Sequence, residues 1–243
     1  MSVKLSVVYE DDQIIAFNKP SGLLSIPDRF DEQKPCILRD AEKIYGKLFV
    51  VHRIDKDTSG LILFAKNETA HKFMSQLFEG RSIEKYYKAI VFGNPHMDSG
   101  SIEKPIAHHP VKKGLMIVHP KGKTAHTDFE VEQKWNGYAL LQLQIFTGRT
   151  HQIRVHLHNL GYPVLCDPLY GHDQPLKLSD FKKKFKLSQQ LLEEQPILQR
   201  LALHAYRVVF TDAAGQKIEI TAPLSKDMDA TIKQLSKWAV GTN

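Results

Sequence analysis

The chain has 243 residues, 42% hydrophobic and 25% charged, enough apolar side chain for one large domain or two small ones. Its formal charge of +6 favours polyanionic partners, although many basic proteins bind no nucleic acid. Cys36 and Cys166 are too few for a disulfide framework and lack zinc-site spacing, no apolar run reaches membrane-spanning length, and Met1 to Tyr9 do not read as a signal peptide. The expectation is a soluble, cytoplasmic protein without membrane association.

Val7 to Tyr9 and Ile14 to Phe17 predict two strands about the acidic turn Asp11-Asp12. Asn18-Lys19-Pro20-Ser21-Gly22 ends the second as a β-turn. Ile37, Leu38, Ala41, Ile44 and Tyr45 recur at helical spacing, with Gly46 as a stop. Two apolar runs follow, Phe49 to Val51 and Leu61 to Ala65, and both have strand length. The loop between them carries His52, Arg53, Asp55, Asp57, Thr58 and Ser59. Such residues on a loop between strands are a usual way to place chemistry, and they are also the residues of ordinary tight turns.

Asn67 predicts an N-cap for a helix whose face is Ala70, Phe73, Met74, Leu77 and Phe78, ended at Gly80, with His71 on the surface. Lys85 to Gly93 alternate as a strand, with Tyr86 and Tyr87 on opposite faces. Asn94 to Lys123, holding Pro95, Pro105, Pro110 and Pro120, predicts irregular chain. His96, His108, His109 and His119 lack the spacing and carboxylates of a metal site, so no metal is expected. Lys112, Lys113, Lys121 and Lys123 are weak candidates for phosphate contact.

Two alternating runs around Asn136-Gly137 predict an antiparallel hairpin. Its second strand runs into a helix with Ile153, Leu157 and Leu160 on one face, which places Arg149 at the junction and Arg154 within the helix. Lys177 to Gln199 is lysine-rich, predicted helical around Phe181, Phe185, Leu191 and Leu192, and is a candidate RNA contact. Lys217 to Thr221 should pair with a strand at Arg200 to Ala205. Met228, Ile232, Leu235 and Ala239 mark a closing helix.

His-Arg-Ile-Asp-Lys-Asp-Thr-Ser-Gly, 52 to 60, resembles at nearly every position the signature of the RNA pseudouridine synthases of the large-subunit and transfer-RNA branch, often called the RluA family. Thr147 to Leu157, Thr-Gly-Arg-Thr-His-Gln-Ile-Arg-Val-His-Leu, resembles the family's second long motif. Shorter likenesses lie at Asn18 to Gly22, at Lys85 to Gly93, at Val164 to Gly171 and at Arg200 to Ala205. In the third of these, Cys166 stands where glycine is more usual; if the position needs a positive φ, the local loop must differ. The resemblance spans about Val7 to Leu224.

It implies an α+β fold, a mixed and mostly antiparallel sheet flanked by helices. One catalytic domain over 1–243 is expected, with 177–199 as a family-variable insertion and without the N-terminal S4 module of some relatives. It further implies isomerisation of uridine in ribosomal or transfer RNA. The bond from uracil N1 to C1′ breaks and C5 joins C1′, with no redox step and no cofactor. Asp55 is the implied covalent catalyst, with either the sugar or the base as its point of attack. Arg154 is its implied charge partner, and Tyr87 the ring that stacks on uracil and a candidate for proton transfer. His52, Arg53, Thr58, Arg149 and Leu203 are the implied substrate contacts, and a monomer with no obligate protein partner is expected. Two rivals are a non-catalytic RNA-binding protein of the same fold, with Asp55 a turn residue, and a nuclease using His52, His151, His156 and His158. Neither accounts for Asp55, Tyr87 and Arg154 together.

Overall fold

The computed structural model describes residues 5–171, 173–186 and 193–239. In chain order the elements are β1 (Val7–Glu10), β2 (Ile14–Lys19), α1 (Ile37–Tyr45), β3 (Phe49–Val50), β4 (Ser59–Ala65), α2 (Glu68–Glu79), β5 (Glu84–Phe92) and β6 (Ser99–Ile102). They continue with β7 (Ile106–His108), β8 (Met116–Val118), β9 (Thr127–Trp135), β10 (Tyr138–Ile145), α3 (Gln152–Leu160), β11 (Leu203–Thr211), β12 (Lys217–Thr221) and α4 (Lys226–Trp238). The described chain packs as two units, one up to Tyr87 plus His204–Leu224, the other Lys88–Leu203 plus the chain from Ser225.

In the first unit β2 pairs antiparallel with β1 and β4, β3 antiparallel with β4, and β11 lies parallel to β4 and antiparallel to β12. The period of two along a strand explains why β2 and β4 hold so few polar residues. Ile14, Ala16, Leu61 and Leu63 feed one apolar cluster with Met74 of α2 and Val208 of β11, while Ile15, Phe17, Ile62 and Phe64 feed a second with Ile37 and Ala41 of α1. Both faces are therefore covered. Gly60 makes the parallel pairing possible: a Cβ there would lie 2.1 Å from the Ala205 carbonyl oxygen. Asn67 caps α2 as expected, its side chain accepting the Ala70 N–H at 2.9 Å.

In the second unit β9 and β10 form the expected hairpin, with Gly137 at φ +80 in its turn, and β6 adds to β9. The mixed, mostly antiparallel α+β class follows from these pairings.

Three expectations are corrected. The stretch 94–123, expected to be irregular, holds β6 and the two-stranded sheet β7–β8, strands too short for an alternation to be visible between prolines. His71 turns inward, stacked on Phe49 at 5.3 Å with Nε2 3.2 Å from the Val50 carbonyl. Among described residues of 177–199 there is a 3-10 turn at Leu178–Asp180 and no α-helix. Lys184 takes a φ of +58, which breaks a helix, and Leu191 and Leu192 lie outside the described residues.

Candidate active site

Asp55 is half-buried on the loop between β3 and β4, and the segment 18–25 fixes that loop residue by residue. Lys19 follows Ile15 and Phe17 at a spacing of two, so its side chain points inward with theirs and is 0% exposed. Its ammonium donates to the carbonyls of Pro20 at 2.9 Å, Leu23 at 2.7 Å and Lys56 at 2.9 Å. An ammonium carries three donors, and each meets an oxygen here. Ser21 Oγ donates to the Asp57 carbonyl at 2.6 Å, and the Gly22 N–H to that of Lys56 at 2.9 Å. Ser25 Oγ donates to the Ile54 carbonyl at 2.6 Å and accepts the Ile54 N–H at 3.2 Å. The backbone is thus bonded on both sides of Asp55, and the Thr58 N–H closes the turn onto the Asp55 carbonyl at 3.2 Å.

Strand β4 holds the loop from its other end. His52 Nε2 accepts the Leu63 N–H at 2.9 Å, so the ring is neutral with its proton on Nδ1, and it stacks on Phe78 at 4.6 Å. Burial, with the Lys85 charge adding to it, brings the His52 pKa down to about 3. Ser59 Oγ lies 2.9 Å from His204 Nδ1, and His204 Nε2 donates to the Ala222 carbonyl at 3.2 Å, since a carbonyl only accepts. Thr58 is buried, while Arg53 is exposed.

Tyr87 shares this unit with Asp55. Burial, and after it the negative charge of Asp55, push the Tyr87 phenol well above its ordinary range. At neutral pH the phenol therefore keeps its proton, as a hydrogen-bond donor with an apolar face. Tyr86, on the opposite face, carries the Arg207 guanidinium over its ring at 4.3 Å.

The second unit holds Arg149, Arg154 and Leu203. Arg154, 1% exposed, forms a fork-on-fork pair with buried Asp167, Nε to Oδ2 at 2.8 Å and Nη2 to Oδ1 at 2.6 Å. Asp167 Oδ1 also accepts the N–H groups of Leu169 at 2.9 Å and Tyr170 at 3.2 Å, and the Tyr170 ring lies 5.0 Å from the guanidinium. Gln152 explains the motif around it. Its Oε1 accepts from the Thr147 hydroxyl at 2.7 Å and the Arg149 N–H at 3.1 Å, and its Nε2 donates to the His126 carbonyl and to Thr127 Oγ1, both at 2.9 Å. His156 Nε2 donates to the Lys104 carbonyl at 2.9 Å, and burial lowers its pKa. Arg149 Nε donates to the Thr124 carbonyl at 2.9 Å, and Leu203 is buried.

His52 and His156 are thus neutral and engaged in framework bonds, which removes two of the four histidines a nuclease reading needs. Sequence reasoning passed over Lys19, Ser25, Asp167 and His204. For Lys19 the signal was present, because it falls in phase with two inward apolar residues. Nothing in the sequence marked Asp167 as the partner of Arg154.

A family model described as RNA pseudouridylate synthase matches residues 13–159. Ribosomal large subunit pseudouridine synthase D of Haemophilus ducreyi is 35% identical over 242 residues, covering 96% of this chain and 71% of that protein. The dual-specificity RNA pseudouridine synthase RluA of Vibrio vulnificus is 38% identical over 180 residues, 72% of each chain. In fold, the chain is similar to the solved structure of human RNA pseudouridylate synthase domain containing 4, with a TM-score of 0.72 at 23% identity, covering 95% of this chain and 93% of that one. The chain belongs to the RNA pseudouridylate synthase family, the isomerases that convert uridine to pseudouridine in RNA.

Proposed function

We propose that this chain isomerises uridines of ribosomal or transfer RNA, with Asp55 as the covalent catalyst. The observation that carries this reading is that Asp55 stands on a loop bonded at Ile54, Lys56 and Asp57, with its charge felt by the Tyr87 phenol. A carboxylate fixed in this way loses little freedom on reaching a reacting centre. Tyr87 offers its ring to the base and its protonated hydroxyl as a donor. Arg154 is retained, on its motif, as the cationic member of the catalytic set. Exposed Arg53 suits an RNA phosphate or the displaced base; Arg149 and Leu203 are kept as substrate contacts, while His52 and Thr58 act by positioning the loop.

The base must leave its stack to be reached, turned and rejoined through C5. Atoms balance within the nucleotide: the C1′–N1 bond is replaced by a C1′–C5 bond, and the hydrogen lost from C5 is matched by one gained at N1. On the same reading the protein is a monomeric catalytic domain in the cytoplasm. The test is Asp55→Asn with total RNA from cells lacking the protein. Pseudouridine formation should vanish while RNA affinity stays within about threefold and strand length is unchanged; full activity in the variant would overturn the assignment.

A further inference from the structure

Residues 25–36 form a closed loop beside the Asp55 turn. The Ile37 N–H donates to the Leu24 carbonyl at 2.9 Å and closes its base, and Ser25 is the residue bonded both ways to Ile54. The tip is organised by Asp28, whose Oδ1 accepts the N–H groups of Phe30 at 3.0 Å and Asp31 at 3.1 Å, while Oδ2 lies 3.4 Å from Lys34 Nζ. These bonds to the carboxylate lower the Asp28 pKa. On this ordered turn stands Phe30, 91% exposed, with the Arg29 guanidinium 5.9 Å from its ring centroid. An apolar ring of that size, presented to water by a turn that holds its own N–H, buries nothing in this chain.

A bare aromatic beside a guanidinium is the chemistry that stacks an unpaired nucleobase and attracts its phosphate. Phe30 lies five steps along the chain from Ser25, a reach of at most about 18 Å, or roughly five stacked nucleotides at about 3.4 Å each. We propose that Arg29 and Phe30 form a stacking platform for an unpaired base of the RNA substrate flanking the uridine that reacts. The inference rests on RNA being the substrate and adds a determinant of which uridine is chosen.

The experiment measures pseudouridine formed against rising concentrations of total RNA from cells lacking the protein, for wild type, Phe30→Ala, Phe30→Trp and Asp55→Asn. Phe30→Ala should raise KM by about 5- to 150-fold, the range for one lost stacked base, with kcat within about twofold. Phe30→Trp should restore KM, and the melting temperature should not change in either variant. An unchanged KM in Phe30→Ala, or a tryptophan variant no better than alanine, overturns the proposal. So does a wild-type dimer that Phe30→Ala dissolves at unchanged KM, because the ring then serves a second copy of the chain. Activity in Asp55→Asn would instead refute the catalytic assignment, so the two failures are separable.

Discussion

The ammonium of Lys19 and the carbonyl of Lys56 are 2.9 Å apart, and this contact ties the turn after β2 to the residue next to Asp55. Replacing Lys19 by Met keeps the stem and removes a donor from three carbonyls, of which that of Leu23 is buried while that of Lys56 keeps the Gly22 N–H. At about 1–3 kcal/mol for a buried group left unsatisfied, the expected loss of unfolding free energy is about 1–3 kcal/mol. Chemical denaturation measures it. Activity in the folded fraction should fall as well, because the Asp55 loop loses a tether.

His52 should make stability depend on acidity in a specific window. Its folded pKa of about 3 lies below the ordinary 6.5, so between those values the unfolded chain takes up a proton that the folded chain does not. The stabilisation is complete above pH 6.5 and is lost progressively as pH falls toward 3, by up to about 1.4 kcal/mol per pH unit. His52→Gln keeps an acceptor for the Leu63 N–H and does not titrate. The stability difference between wild type and this variant should shrink between pH 6.5 and 5; a constant difference would show that the imidazole is charged in the folded protein.

Removing Asp167 takes a two-pronged carboxylate away from the Arg154 guanidinium in a site that is 1% exposed. Asp167→Ala should cost roughly 3 to 5 kcal/mol. The double change Asp167→Ala with Arg154→Met should cost less than the sum of the two single changes, because both singles break the same pair, and denaturation of wild type and the three variants decides this.

Cys166 holds a φ of +54, a conformation that favours glycine, and the thiol is buried, near the carbonyls of Gln174 at 3.5 Å and Leu198 at 3.6 Å. Cys166→Ala and Cys166→Gly both lose the sulfur, but only glycine relaxes the backbone. The glycine variant should therefore be the more stable of the two by about 1 kcal/mol, read as a difference in denaturation midpoint.

How far the sequence reached is clearest at these positions. Long periodic segments were legible: the β9–β10 hairpin from its Asn136-Gly137 turn, α2 from Asn67, and α3 from Ile153, Leu157 and Leu160. The Asp55 loop was legible because its residues form an unbroken motif. The Cys166 expectation was conditional on a positive φ, and the loop keeps that φ while carrying a side chain. What stayed hidden were partnerships across long separations, such as Lys19 with Lys56 and Ser59 with His204, since a one-dimensional pattern shows that a polar residue faces inward but not which oxygen it meets. The segment 177–186 misled because its apolar residues fall at helical spacing while Lys184 adopts a left-handed backbone.

Ser59 and His204 are 145 residues apart, and β11 meets β4 in parallel at that point. A growing polypeptide leaving the ribosome at about 5–20 residues per second would leave the Ser59–Gly60 end of β4 without its β11 neighbour for on the order of 10 s. During synthesis that edge is a site for wrong pairing. A chain cut short before His204 would lack the partner of Ser59 and leave the Asp55 loop held by residues 18–25, so chaperone occupancy early in translation should track this strand.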